Sequence, residues 1–74
     1  MARLAGISGR EAAKKFQRIG YSVVRQRGSH LRLRHSDGKN HLPLTIPMHR
    51  EVKFGLLKQL IKDAGLSVDE FLEL

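Results

Sequence analysis

The chain has 74 residues, no cysteine and a formal net charge of +7; one this short is expected to form a single domain over residues 1–74, without room for a deep enclosed active site. Disulfides and cysteine-held zinc are excluded, and no apolar run is long enough for a signal peptide or a membrane span, so a cytoplasmic protein with no membrane partner is expected. Residues 1–50 carry eleven Lys or Arg against Glu11 and Asp37, net +9, while residues 51–74 carry three against five acids, net −2. One part of the chain is therefore suited to an anion, whether nucleic acid, an anionic membrane surface or an acidic protein.

Ser8 to Glu11 reads as a capping box, and Ala12, Ala13, Phe16 and Ile19 follow at helical spacing until Gly20, which predicts a helix over residues 9–19. From Tyr21 the run YSVVRQR is β-branched and then basic, as in a strand. HLRLRH and HLPLTIP alternate leucine with polar residues on either side of Asp37-Gly38, the pattern of a hairpin. With a two-residue loop there, Leu33 would face Leu42, Leu31 would face Leu44, and His30 would face Thr45. A second tight turn at Gly28-Ser29 would set Arg27 opposite His30, Arg25 opposite Arg32 and Val24 opposite Leu33, with Val23 and Tyr21 turned outward. Leu56, Leu57, Leu60, Ile61 and Ala64 form one helical stripe ending at Gly65, and a second capping box at Ser67 opens a short final helix with Val68, Phe71 and Leu72. The expected fold is α+β: helix, three-stranded antiparallel sheet, helix and short helix, with the helices on the leucine face and the other face wet.

On that wet face His30 stands among Arg25, Arg27, Arg32 and Arg34. A lone histidine on a polar strand is ordinarily a surface residue, but the turn at Gly28 and Ser29 would let a phosphate approach the backbone closely. Four arginines on two paired strands repel one another unless an anion is bound, which favours a binding face over a merely solvated one. The other histidines do not make a metal site with His30, because strand parity sends His41 to the polar face and His35 to the opposite one, and Asp37 belongs to the turn. Ser29 points away from its neighbour His30, so it is read as a turn residue or phosphate donor rather than a nucleophile. Of the aromatic residues, Phe16, Phe54 and Phe71 fall at core positions and only Tyr21 does not, leaving no platform for stacked bases. Recognition should rest on phosphates and shape.

The ordered series Gly20-Tyr21, Val24-Arg25-Gln26 and Gly28-Ser29-His30 resembles the HicA (YcfA-like) family of toxin ribonucleases, as do the Asp37-Gly38 turn, Pro47-Met48-His49 and the stretch GLLKQLIKDAGLS. The resemblance runs from Ser8 to Leu72 and implies a fold like that of double-stranded-RNA-binding domains. It also implies cleavage of mRNA without a metal or other cofactor, using the histidine of Gly-Ser-His, here His30, and inhibition by a HicB-type antitoxin. The family usually has Gly-Thr-Leu at the start of the second helix, whereas this chain has Gly55-Leu56-Leu57, without the threonine. The residues are thus read as an endoribonuclease, a monomer when free, with His30 as general base and Arg25, Arg27, Gly28, Ser29, Arg32 and Arg34 as the RNA-binding set. An arginine-bound water and His41 are candidates for the leaving-group acid. A non-catalytic double-stranded-RNA-binding module is the alternative, and a basic face that docks an acidic protein is a third reading.

Overall fold

The computed structural model describes residues 4–74. In chain order the elements are α1 (Gly9–Gln17), β1 (Tyr21–Arg27), β2 (His30–His35), β3 (Leu44–Pro47), α2 (Phe54–Asp63) and α3 (Val68–Leu72). The three strands form an antiparallel sheet in the order β1-β2-β3, the α+β arrangement expected from the sequence.

Ser8 has an extended backbone, and its Oγ accepts the Glu11 N–H at 3.0 Å, which starts α1. Ala12, Ala13 and Phe16 turn into the core. The helix closes at Gln17, two residues before the expected Ile19, because the last turn tightens: Ile19 N–H reaches Phe16 O and Gly20 N–H reaches Gln17 O.

At the β1–β2 turn Arg27 pairs with His30 and Arg25 with Arg32, as the sequence predicts. The expected pairing of Val24 with Leu33 is corrected by a bulge between Val23 and Arg25, which sets Val23 opposite Leu33 and Tyr21 opposite His35. One extra residue reverses the parity of the strand before it. Tyr21, expected to face outward, is therefore buried at 3% exposure with its ring edge-on to Phe16, while Val24 is left 53% exposed.

The β2–β3 register is also corrected. Leu33 pairs with Leu44, Leu31 with Ile46, Arg32 with Thr45 and His30 with Pro47, two residues from the expected pairs. A tight turn at Asp37-Gly38 would need a left-handed residue, and neither position has one. Instead the Asp37 carboxylate accepts the Asn40 side-chain amide at 2.9 Å and the Asp37 carbonyl accepts the His41 N–H at 3.0 Å, which builds a longer loop. Leu42 then gives its N–H to Asp63 O at the end of α2 rather than to β2. A shift of two keeps Leu31, Leu33 and Leu44 on the core face, while Leu42, expected opposite Leu33, falls in the loop and is 46% exposed.

α2 begins at Phe54 behind Lys53, which makes no side-chain cap bond; Leu56, in the place of the threonine of the Gly-Thr-Leu pattern that the sequence resembles, is the third helical residue and past the cap position. Leu57, Leu60 and Ile61 are buried in α2, followed by Ala64, and meet Leu31, Leu33, Leu44, Ile46, Phe16 and Phe71 in one core. Leu56 is one helical step, about 100°, from Leu57 and remains exposed. Phe54, expected in the core, sits in the first turn at 59% exposure with the Lys58 ammonium over its ring. Ser67 and Glu70 form the expected capping box of α3. Its Phe71 packs on Phe16 with ring centres 5.1 Å apart. Among the described residues no helix is long and apolar enough to cross a membrane.

Candidate nucleic-acid site

The helices cover the leucine face of the sheet, and the opposite face carries His30, Arg25, Arg27, Arg32, Arg34 and Thr45. No strand contains an acid. His30 is the first residue of β2 and exposed, between Arg27 on one neighbour and Pro47 on the other. The turn before it works because Gly28 has a φ of +59° while Ser29 stays out of the left-handed region, the pattern of a type II′ hairpin with glycine first. A side chain at Gly28 would meet nothing within 4 Å, so the space above the turn is open to a ligand.

Three of the four arginines converge. Arg25, Arg32 and Arg34, with Val24, line a shallow depression of about 380 Å³. Arg32 is held there by a bond from Nη1 to Thr45 Oγ1 at 2.8 Å. Arg27 stands apart from this group, beside His30 across the turn. Guanidinium forks on an acid-free surface suit phosphate oxygens.

His30 belongs to a second, smaller depression of about 250 Å³ that it shares with Thr45, Pro47, His49, Lys53 and Leu56. Sequence reading assigned no role to His49 or Lys53, because they follow the last strand, where alternation says nothing about direction. Their segment is pinned on both sides. Met48 N–H donates to Ser29 O at 2.6 Å and Gly9 N–H donates to His49 O at 2.9 Å. Gly9 must lack a side chain here: a Cβ would collide with Pro47 O and come within 2.8 Å of Met48 Cα.

His35 and His41 do come together, contrary to the parity argument, because the longer loop folds His41 back over β2. Their rings stack with centres 4.2 Å apart, and Tyr21 meets both edge-on. His35 Nδ1 accepts the Asp37 N–H at 2.9 Å, so its Nε2–H donates to Ile19 O at 2.8 Å. His41 Nδ1–H donates to Ala64 O at 2.6 Å. Both rings tie a loop to the ends of helices, which makes them structural rather than catalytic. Tyr21 gives its hydroxyl hydrogen to Leu42 O at 2.7 Å. Burial first, and then the charge of Asp63, push the Tyr21 phenol up to about 12. Hydrogen bonds from Asn40, above all from its side chain, hold the Asp37 carboxyl below the usual carboxylate range.

Among the described residues no three His, Cys, Asp or Glu side chains are grouped to hold a metal ion. A larger depression of about 600 Å³ lies along α2 and α3 at Phe54, Lys58, Ile61, Leu66 and Val68; it contains no histidine or arginine and is not the candidate site.

No curated protein matches the chain. The model of the family described as the HicA toxin of bacterial toxin-antitoxin systems matches residues 9–66, which takes in α1, the whole sheet and α2. The chain belongs to the HicA toxin family and is the toxin of a toxin–antitoxin system.

Proposed function

We propose that the protein is a metal-independent endoribonuclease that cleaves mRNA in the cytoplasm, with His30 as general base. The observation that carries this reading is an exposed imidazole at the edge of an acid-free arginine surface, next to an open turn. His30 takes the proton of a ribose 2′-hydroxyl, the 2′-oxygen attacks the adjacent phosphorus, and the bond to the 5′-oxygen breaks. The products are a 2′,3′-cyclic phosphate and a 5′-hydroxyl. The nucleophile comes from the substrate itself, so no metal-bound water is needed to supply it. Arg25, Arg32 and Arg34 hold flanking phosphates, Arg27 meets charge building on the reacting one, and the backbone at Gly28 and Ser29 lies close enough to assist. A positioned base contributes about 10²- to 10⁴-fold and each well-aimed donor about 10²- to 10³-fold, enough for a slow toxin.

The partner we propose is a HicB-type antitoxin that covers His30 and presents carboxylates to Arg25, Arg27 and Arg32, because this face is the strongest attractor for an acidic surface.

The test is incubation of purified protein with RNA in the presence of a chelator. Cleavage persists, a 2′-deoxyribose at the cut position protects the strand, and His30→Ala lowers the rate by about 10²- to 10⁴-fold without loss of folding. Tight binding of duplex RNA with no cleavage would instead identify a double-stranded-RNA-binding module.

A further inference from the structure

Transphosphorylation by a 2′-oxygen needs two proton transfers: one from the nucleophile and one to the departing 5′-oxygen. His41 cannot make the second, since its ring is bonded to Ala64 O and stacked on His35. We propose that His49 is the general acid of this site, which rests on the reading of His30 as the base.

The geometry comes from one backbone bond. Met48 N–H donates to Ser29 O, and His49 and His30 are the residues that directly follow these two partners. That bond extends the β2–β3 ladder beyond its last assigned pair, His30 with Pro47. The chain leaves strand geometry after Pro47, but this bond ties the residue before His49 to the residue before His30, and both imidazoles reach the same depression. A phosphate seated in that depression would lie within reach of both rings. Gly28 contributes no side chain to fill the space.

Both histidines line the same 250 Å³ depression, and its other walls narrow the choice of acid. Thr45 is engaged by Arg32, while Pro47 and Leu56 have no proton to give. Lys53 remains, but imidazole is the side chain class that exists in both protonation states near neutrality, so two histidines can begin the reaction with one proton between them. In the step, the 2′-hydroxyl proton passes to His30 as the new O–P bond forms. The P–O5′ bond breaks, and the 5′-oxygen takes its proton from the His49 imidazolium. Lys53 supplies charge at the phosphate and no proton.

The experiment uses the full chain and a short single-stranded RNA oligomer, prepared with oxygen or with sulfur at the 5′-bridging position. A thiolate leaves without being protonated, so the sulfur substrate has no need of an acid. His49→Ala is expected to cleave the ordinary RNA about 10²-fold or more slowly than wild type and the sulfur substrate at nearly the wild-type rate. His30→Ala stays slow on both, and Lys53→Ala is weakened on both. Equal slowing of His49→Ala on the two substrates would show that His49 only binds or positions. Wild-type speed on ordinary RNA, or rescue of Lys53→Ala in its place, would also overturn the assignment while leaving the ribonuclease reading intact. A wild-type protein that cuts neither substrate would overturn both.

Discussion

Arg32 reaches across the β2–β3 pair to Thr45, with 2.8 Å between Nη1 and Oγ1. Thr45 also forms a wall of the depression that contains His30, so one hydroxyl joins the arginine surface to the histidine pocket. Thr45→Val keeps the branched shape and removes the acceptor. Because a hydrogen bond to a charged group is worth about 1.5 kcal/mol, RNA cleavage should fall on the order of tenfold with little change in stability, as measured by initial rates and thermal melting.

Arg25, Arg27 and Arg34 act through charge in the proposed reading. Replacing any one of them by Ala should weaken RNA binding and flatten the plot of log affinity against log salt by about 0.7 for each lost phosphate contact on a single strand. Antitoxin binding should weaken in parallel. Arg27→Glu should be the most severe, since Arg27 pairs with His30 and a carboxylate there would repel the reacting phosphate. An unchanged salt slope for all three variants would remove them from the binding surface.

His35→Ala should separate stability from activity. The ring supplies two hydrogen bonds and stacks against His41 and Tyr21, and it lies on the core side of β2. Its loss should cost about 2 to 3 kcal/mol in urea denaturation, while the activity of the molecules that remain folded should be preserved. A folded variant with a selective loss of catalysis would contradict the structural role.

Tyr21 makes alkaline stability a readable quantity. Its phenol is raised from an ordinary 10.0 to about 12, so the folded protein holds this proton more tightly than the unfolded chain does. The stabilisation is complete below pH 10 and is lost as the pH rises toward 12. Tyr21→Phe should be about 1 kcal/mol less stable at neutral pH, because Leu42 O loses its donor, and should show a shallower decline than wild type across that alkaline interval.

Periodicity located α1, α2 and α3 because the apolar residues and caps that form them are local in the chain. The sheet was legible in its faces but not in its pairings. Leu31, Leu33 and Leu44 require only parity, whereas the register across Asp37 depends on a loop held by Asn40 and His41, which alternation does not reveal. The bulge at Val24 is similarly silent, and it alone decides that Tyr21 is buried. Phe54 was misplaced because its distance from Leu57 fits a helical stripe, although the core does not extend to the first turn of α2. At the site, His30 and the arginines could be grouped by spacing along two adjacent strands. His49 could not, since the bond that brings it to the turn is a contact between Met48 and Ser29, nineteen positions apart.

The bulge has a further consequence for how copies of the molecule meet. β1 is an outer strand, and an outer strand with free amides and carbonyls is a template for joining another chain edge to edge. Val23 and Val24 make that edge sticky. The extra residue at Val24 twists the strand away from the flat geometry that a second copy would need, and Arg25 and Arg27 add repulsion between like edges. The irregularity that buries Tyr21 thus also guards the toxin against polymerising through its own sheet, and keeps the arginine face free for a different molecule.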